Sequence, residues 1–165
     1  MSLSTLRELL RGKGAHLDPV ACMEDLSAKA AGETIPGYPH SIFQIVEHLN
    51  YWIDYEIARI NGVAREYPQH AIESWPKNVA PSSVADWQNA VERFRALLVQ
   101  LSKFSESAPE VLNRMVIANS DKEAASTIET VLWQIMVHNS YHIGQVALLR
   151  RCLGVWPPRG GGDSW

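Results

Sequence analysis

Apolar residues recur three and four positions apart along most of this chain, and Gly, Pro and Ser interrupt the pattern at a few places. That spacing puts them on one face of an α-helix. The cleanest stripe is Val84, Trp87, Val91, Phe94, Leu98 and Leu101, with Ser83 and Asp86 at its start as capping residues. A second stripe, Ile45, Leu49, Trp52, Ile53, Ile57 and Ile60, follows a capping box at Ser41-Ile42-Phe43-Gln44 and closes at Asn61-Gly62. A third, Ile128, Val131, Leu132, Ile135, Val146, Leu149 and Leu153, follows Ser126-Thr127-Ile128-Glu129, which also has the form of a capping box, and runs to Gly154. Asp18-Pro19 predicts an N-cap with proline at the first helical position, opening a helix that carries Cys22, Met23 and Leu26 and ends at Gly32. Ahead of it, Thr5-Leu6-Arg7-Glu8 with Leu9 and Leu10 predicts a short, peripheral helix stopped by Gly12. No strand with hairpin chemistry is visible.

These elements predict an all-α fold: one domain over residues 1–165, built as a four-helix bundle with a short extra N-terminal helix. A long loop, residues 62–82, joins the second and third bundle helices and contains Pro68, Trp75, Pro76 and Pro81. A connection of that length is expected to run along the bundle or lie over one end of it. Residues 105–125 form a second connection, with Val111 to Ala118 readable as a strand or a helical turn.

Composition narrows the function. The net charge of −3 argues against binding nucleic acid through its phosphates, which runs on clustered Lys and Arg. Two cysteines, Cys22 and Cys152, with no CxxC, exclude a disulfide framework and a thiolate zinc site, and predict two reduced thiols in the core. Arg7, Glu8, Arg11 and Lys13 break up the N-terminal leucines, so no targeting segment is expected there. No apolar run approaches the roughly 20 residues that cross a bilayer. The expected location is cytoplasmic, without a membrane partner.

Histidine placement is more informative. His16, His40 and His70 sit in or beside turn sequence and read as surface histidines. His138 and His142 are four apart on the last helix, about 40° apart in azimuth and one turn apart along the axis. Ile135, Val146 and Leu149 put them on the apolar side. His48 lies between Ile45 and Trp52 on another helix and also points inward. Buried imidazoles are costly unless each ring nitrogen has a partner. Either these three are core histidines bonded to Gln134, Gln145, Tyr141 or carbonyls, or they converge on a metal ion. Three imidazoles leave a coordination position open, the form of a catalytic site. The segment His138-Asn139-Ser140-Tyr141-His142 lacks the glutamate of HExxH, and the Glu-x-x-His pairs of di-iron bundles are missing, so a mononuclear site is the better reading.

The run from His138 through Val146, followed by Leu148-Leu149-Arg150-Arg151 and Leu153-Gly154, resembles the last helix of the DinB-like family, the damage-inducible proteins and their YfiT-type relatives. Pro39-His40-Ser41-Ile42 through Glu47-His48-Leu49 resembles that family's helix bearing the first histidine, and the tail Trp156-Pro157-Pro158 with Gly161 to Trp165 is similar to one branch. The resemblance implies a four-helix bundle, usually a homodimer, with a divalent ion on His48, His138 and His142: nickel or zinc first, manganese or iron as alternatives. It also implies a small-molecule substrate, a low-molecular-weight thiol in the relatives with known activity, through thiol S-transfer or a thiol-dependent isomerisation. Lewis-acid activation of a thiol would make a transferase, and of water a hydrolase. The alternatives are a non-catalytic metal-binding stress-response protein and a plain helical interaction protein.

Around the histidines, Tyr51, Tyr141 and Gln145 are the candidates for catalytic or orienting roles, with Gln134 as a further ring partner. Gly144 beside Gln145 would let a neighbouring helix come close. Glu47 and Asp54 are turned away from His48 and read as solvated. Trp52 and Tyr55 are expected to wall the pocket, and Trp75 or the Trp156 to Trp165 tail to cover it. Arg150 and Arg151 suit the helix C-terminus.

Overall fold

The computed structural model describes residues 3–163, and their regular structure is helical. Helix α1 spans Leu3–Leu10, α2 Ala28–Ala31, α3 Ile42–Ile60, α4 Val84–Ser105, α5 Pro109–Leu112 and α6 Ile128–Cys152. A 3-10 turn, Ala71–Ser74, lies between α3 and α4. Among the described residues there is no strand, only an isolated antiparallel bridge from Met115 to Thr127; Val111 and Leu112 close the helical turn α5.

Caps set most of the helix boundaries. At α3 the capping box is complete: Ser41 Oγ accepts from the Gln44 backbone N–H, and Gln44 Oε1 accepts from the Ser41 N–H. At α4, Ser83 Oγ accepts from the Asp86 N–H, but the Asp86 carboxylate turns to Ser82 instead of closing the box. At α6 the cap is Thr127, one residue later than expected. Its hydroxyl accepts from the Thr130 N–H, while Ser126 donates to the Ala124 carbonyl. Helix α1 begins upstream of Thr5, so Thr5 lies inside it rather than at its cap.

The helix expected from Asp18 does not form. Asp18 does act as a cap, accepting from the Val20 and Ala21 N–H groups, yet turns follow it and regular helix is confined to α2. The break begins at Met23, whose N–H bonds to the Val20 carbonyl and not to that of Pro19, and Arg150 holds the segment in its non-helical path. Its Nη1 donates to the Cys22 carbonyl at 2.7 Å, the acceptor that a continuing helix would offer to the Leu26 N–H. The Leu26 N–H bonds to the Met23 carbonyl instead. The described residues therefore hold three long helices, α3, α4 and α6, and no long helix over 18–32. Helix α1 packs on α4 and α6 with Leu6 and Leu10 buried, so it is a core element and not a peripheral one.

The core joins Leu49 and Ile53 of α3, Phe94, Leu98 and Leu101 of α4, and Val131, Leu132 and Val146 of α6, with Val20, Cys22 and Met23 sealing one side. Each such side chain contributes about 1.5–3 kcal/mol by leaving water. Val84 departs from its predicted stripe and is 63% exposed, while Trp87 in the same turn is buried. Cys152 is also exposed, unlike Cys22, and both thiols are free.

Two connections dock on the helices. Segment 62–82 is held against the start of α3: Ser41 Oγ donates to the Val79 carbonyl, and Gln44 Nε2 donates to the Pro76 carbonyl at 3.1 Å. Gly32 permits this seating, since a Cβ there would lie 2.4 Å from the Ala80 side chain. The C-terminal tail folds onto Asp25 and Arg150 through the Arg159 N–H and the Val155 carbonyl, and Arg151 stacks on Trp156. Ser164 and Trp165 lie outside the described residues.

Candidate metal centre

Helices α3 and α6 pack against each other and present His48, His138 and His142 to one point. One nitrogen from each ring lies within 4.8 Å of the others. His48 and His142 are each 5% exposed, and His138 is half-buried.

Hydrogen bonds identify the converging nitrogens. His48 Nδ1 faces the Ser74 carbonyl at 3.2 Å, so it carries the proton and leaves the Nε2 lone pair free. His142 Nδ1 faces Gln145 Oε1 at 2.7 Å, which fixes the same tautomer. The Nε2 atoms of His142 and His138 then stand 3.1 Å apart. Two nitrogens about 2.0–2.1 Å from one ion in tetrahedral or octahedral geometry are separated by roughly 3.0–3.4 Å. The pair is thus already at ligand spacing, and an imidazole donor set suits zinc, nickel, copper or iron.

Electrostatics agree with the geometry. Burial, helped by the neighbouring His142, holds His48 down to about 3. Burial, again with His142 nearby, holds His138 down to about 4, and burial lowers His142 as well. All three rings are neutral at physiological pH, the form that binds a metal.

The 62–82 segment covers this centre. Trp75 stacks on the His48 ring at 3.8 Å and on the His40 ring at 3.6 Å, nearly parallel to both. His40 is therefore half-buried rather than a surface histidine, and His16 bonds to Ser140 of α6 through Nε2. His70 is exposed. A cavity of about 450 Å³ opens beside the histidines, lined by His48, Trp52, Glu56, Ser74, Trp75 and His138 among others. No described residue of the C-terminal tail lines it.

The other candidates fall in different places. Gln145 is bonded to His142, as described. Tyr141 stands edge-on to the His142 ring but is 65% exposed on the outer face of α6. Tyr51 belongs to an aromatic cluster with Trp52 and Tyr55 and does not line the cavity. Asp54 pairs with Arg65 and Arg93. Gly144 is exposed with open space around it, so no helix approaches there. Arg150 is almost fully buried and ties α6 to Asp25, Cys22 and Val155, a structural role the sequence pattern did not show.

Glu56 was not singled out from the sequence. It faces the cavity and is bonded through both carboxylate oxygens to Arg59 Nη1. Its signal was a Glu-x-x-Arg pair inside a run of Ile57, Ala58 and Ile60, where charges are costly without a purpose.

The sequence profile of the DinB superfamily matches residues 19–146, a span that includes all three histidines. This chain belongs to the DinB superfamily. No curated protein matches the sequence. Membership agrees with the all-helical fold and with a histidine cluster fit to hold a divalent metal.

Proposed function

We propose that this DinB-superfamily protein is a mononuclear metal-dependent enzyme that acts on a small molecule, with His48, His138 and His142 as the metal ligands, and that it transfers a low-molecular-weight thiol or hydrolyses its substrate. The observation that carries this reading is the convergence of three neutral imidazole nitrogens beside a cavity that two of them, His48 and His138, line and that is large enough for a small ligand. When bound, a divalent ion here, nickel or zinc by donor type, supplies Lewis acidity that lowers the pKa of a coordinated thiol or water.

The chain's own residues do the rest. Ser74 and Gln145 hold two of the rings in the ligating tautomer. Trp75 covers one face of His48, and Trp52 and Ile135 wall the cavity with apolar surface that limits water around a bound substrate. Among the described residues no helix is long and apolar enough to cross a membrane, and both cysteines are free, which supports a reducing, cytoplasmic setting.

A homodimer belongs to the same proposal. Trp133, Val137, Tyr141 and Leu148 form an apolar stripe on the outer face of α6, at helical spacing, with Val137 63% and Leu148 44% exposed.

Elemental analysis of untagged protein purified without chelators is expected to find one divalent ion per chain, and His48→Ala to lose it. Thiol-conjugation and ester- and amide-hydrolysis panels on the loaded protein then test turnover. Metal without turnover across those panels would reduce the protein to a metal-binding module. No metal, and no thermal shift with added zinc or nickel, would leave three core histidines.

A further inference from the structure

We propose that the cavity beside the histidines takes an elongated molecule whose end remote from them carries a protonated amine, and that Glu56 is the group that recognises it. This rests on the metal reading only for the near end of the ligand.

Glu56 lies two helical turns beyond His48 on α3, about 12 Å further along the axis. Both residues line the one cavity, and Trp52, Ile135 and Ala71 give the space between them apolar walls. The ligand implied has a polar head at the histidines, an apolar stem and a second polar group at the far end.

The sign of that second group follows from the charges behind Glu56. Arg59 is 4% exposed and is the cation shared by two carboxylates, Glu56 at 2.9 Å and Glu123 at 3.4 Å. One positive and two negative charges leave the cluster with one negative charge in excess. Glu123 is supplied from within the protein by three groups and does not line the cavity: it accepts from the Tyr55 hydroxyl at 2.7 Å and from the Asn119 N–H besides meeting Arg59. Among the described residues Glu56 accepts from Arg59 alone, one bond to each oxygen, so half of the roughly four lone-pair sites of its carboxylate remain for a ligand. Burial pushes the Glu56 carboxyl upward against the pull of Arg59, and Glu123 adds to that push. A cation in the cavity would relieve both. Gln134, also on the cavity wall, makes no side-chain hydrogen bond to another described residue and supplies a neutral acceptor beside it.

Arg59 presents the opposing possibility, since its Nη2 has no hydrogen-bond partner among the described residues and an anion could seek it. Arg59 does not line the cavity, however, and Glu56 does.

Calorimetric titration of the metal-free full chain with hexylamine, hexanol and hexanoate decides between these. The amine is expected to bind about tenfold more tightly than the alcohol, the margin of one charge-assisted hydrogen bond, and hexanoate most weakly. Glu56→Gln is expected to erase the preference for the amine. The wild-type series is decisive even if that variant fails to fold. Equal affinity for hexylamine and hexanol, or tightest binding of hexanoate, overturns the proposal. Aminohexanethiol with zinc-loaded protein tests the near end separately. If it gains nothing over hexylamine while the amine preference persists, thiol coordination at the near end fails and the Glu56 assignment stands.

Discussion

Gln145 and Ser74 each engage one Nδ1 of the candidate centre, and this makes the tautomers of His142 and His48 a property of the fold rather than of the rings alone. Groups that orient a ligand histidine typically alter metal affinity by about 10–100-fold when removed. Gln145→Leu is therefore expected to weaken zinc or nickel binding by about that factor with an unchanged circular dichroism spectrum, and competition against a metal-sensitive dye would measure it. The depressed histidines also predict an acid limit to stability. In the unfolded chain each ring titrates near 6.5, whereas in the folded protein burial holds His48 down to about 3 and His138 down to about 4. Below pH 6.5 the unfolded state binds protons that the native rings refuse, so stability is full above that value and falls as pH drops towards 4 and 3. Urea titrations of metal-free protein across this range would show the loss. A double variant, His48→Gln with His138→Gln, would flatten much of it. The histidine pattern was legible in the sequence because buried imidazoles on an apolar stripe stand out. Ser74 was not legible, because its part is played by a backbone carbonyl that any residue could supply.

Helix starts were read well at Ser41 and Ser83, and Ser41 has a second task besides its cap. Ser41 closes a capping box and binds the loop that carries Trp75. Ser41→Ala is expected to cost about 1 kcal/mol from the cap alone. Because the Val79 carbonyl then loses its donor too, the measured loss by chemical denaturation should exceed that of Ser83→Ala, whose hydroxyl serves only α4. The failed element is equally informative. Asp18-Pro19 is a sound local start signal, and Asp18 does cap its turn, but the Met23 N–H turns to Val20, and a guanidinium arriving from α6 holds the Cys22 carbonyl in the path that results. Propensity in a short segment is worth tenths of a kcal/mol per residue, less than one charge-assisted hydrogen bond in the interior.

For the molecule as a whole, Arg150 joins what the helices alone would leave apart: the segment after α1, the last helix and the C-terminal tail. Its side chain is 2% exposed against 21% for its partner Asp25. Removing one partner of such a pair is expected to cost about 3–5 kcal/mol. Arg150→Met should therefore lower the thermal midpoint sharply, and limited proteolysis should find new cleavage between residues 18 and 26. Outward, the apolar stripe on α6 predicts self-association. Val137→Lys is expected to shift a dimer to monomer in sedimentation equilibrium while leaving metal content unchanged, since Val137 faces away from the core at 63% exposure.

Periodicity, caps and the burial of polar side chains are local properties, each legible within a turn or two of helix. They determined the three long helices, most of their ends and the inward direction of His48, His138 and His142. The packing partner of α1, the unwinding after Asp18, the seating of Trp75 on His48 and the opening of Glu56 into the cavity depend on residues far apart in the chain meeting in space. Such meetings are decided by competition among many contacts of similar strength, and only the tertiary structure resolves that competition.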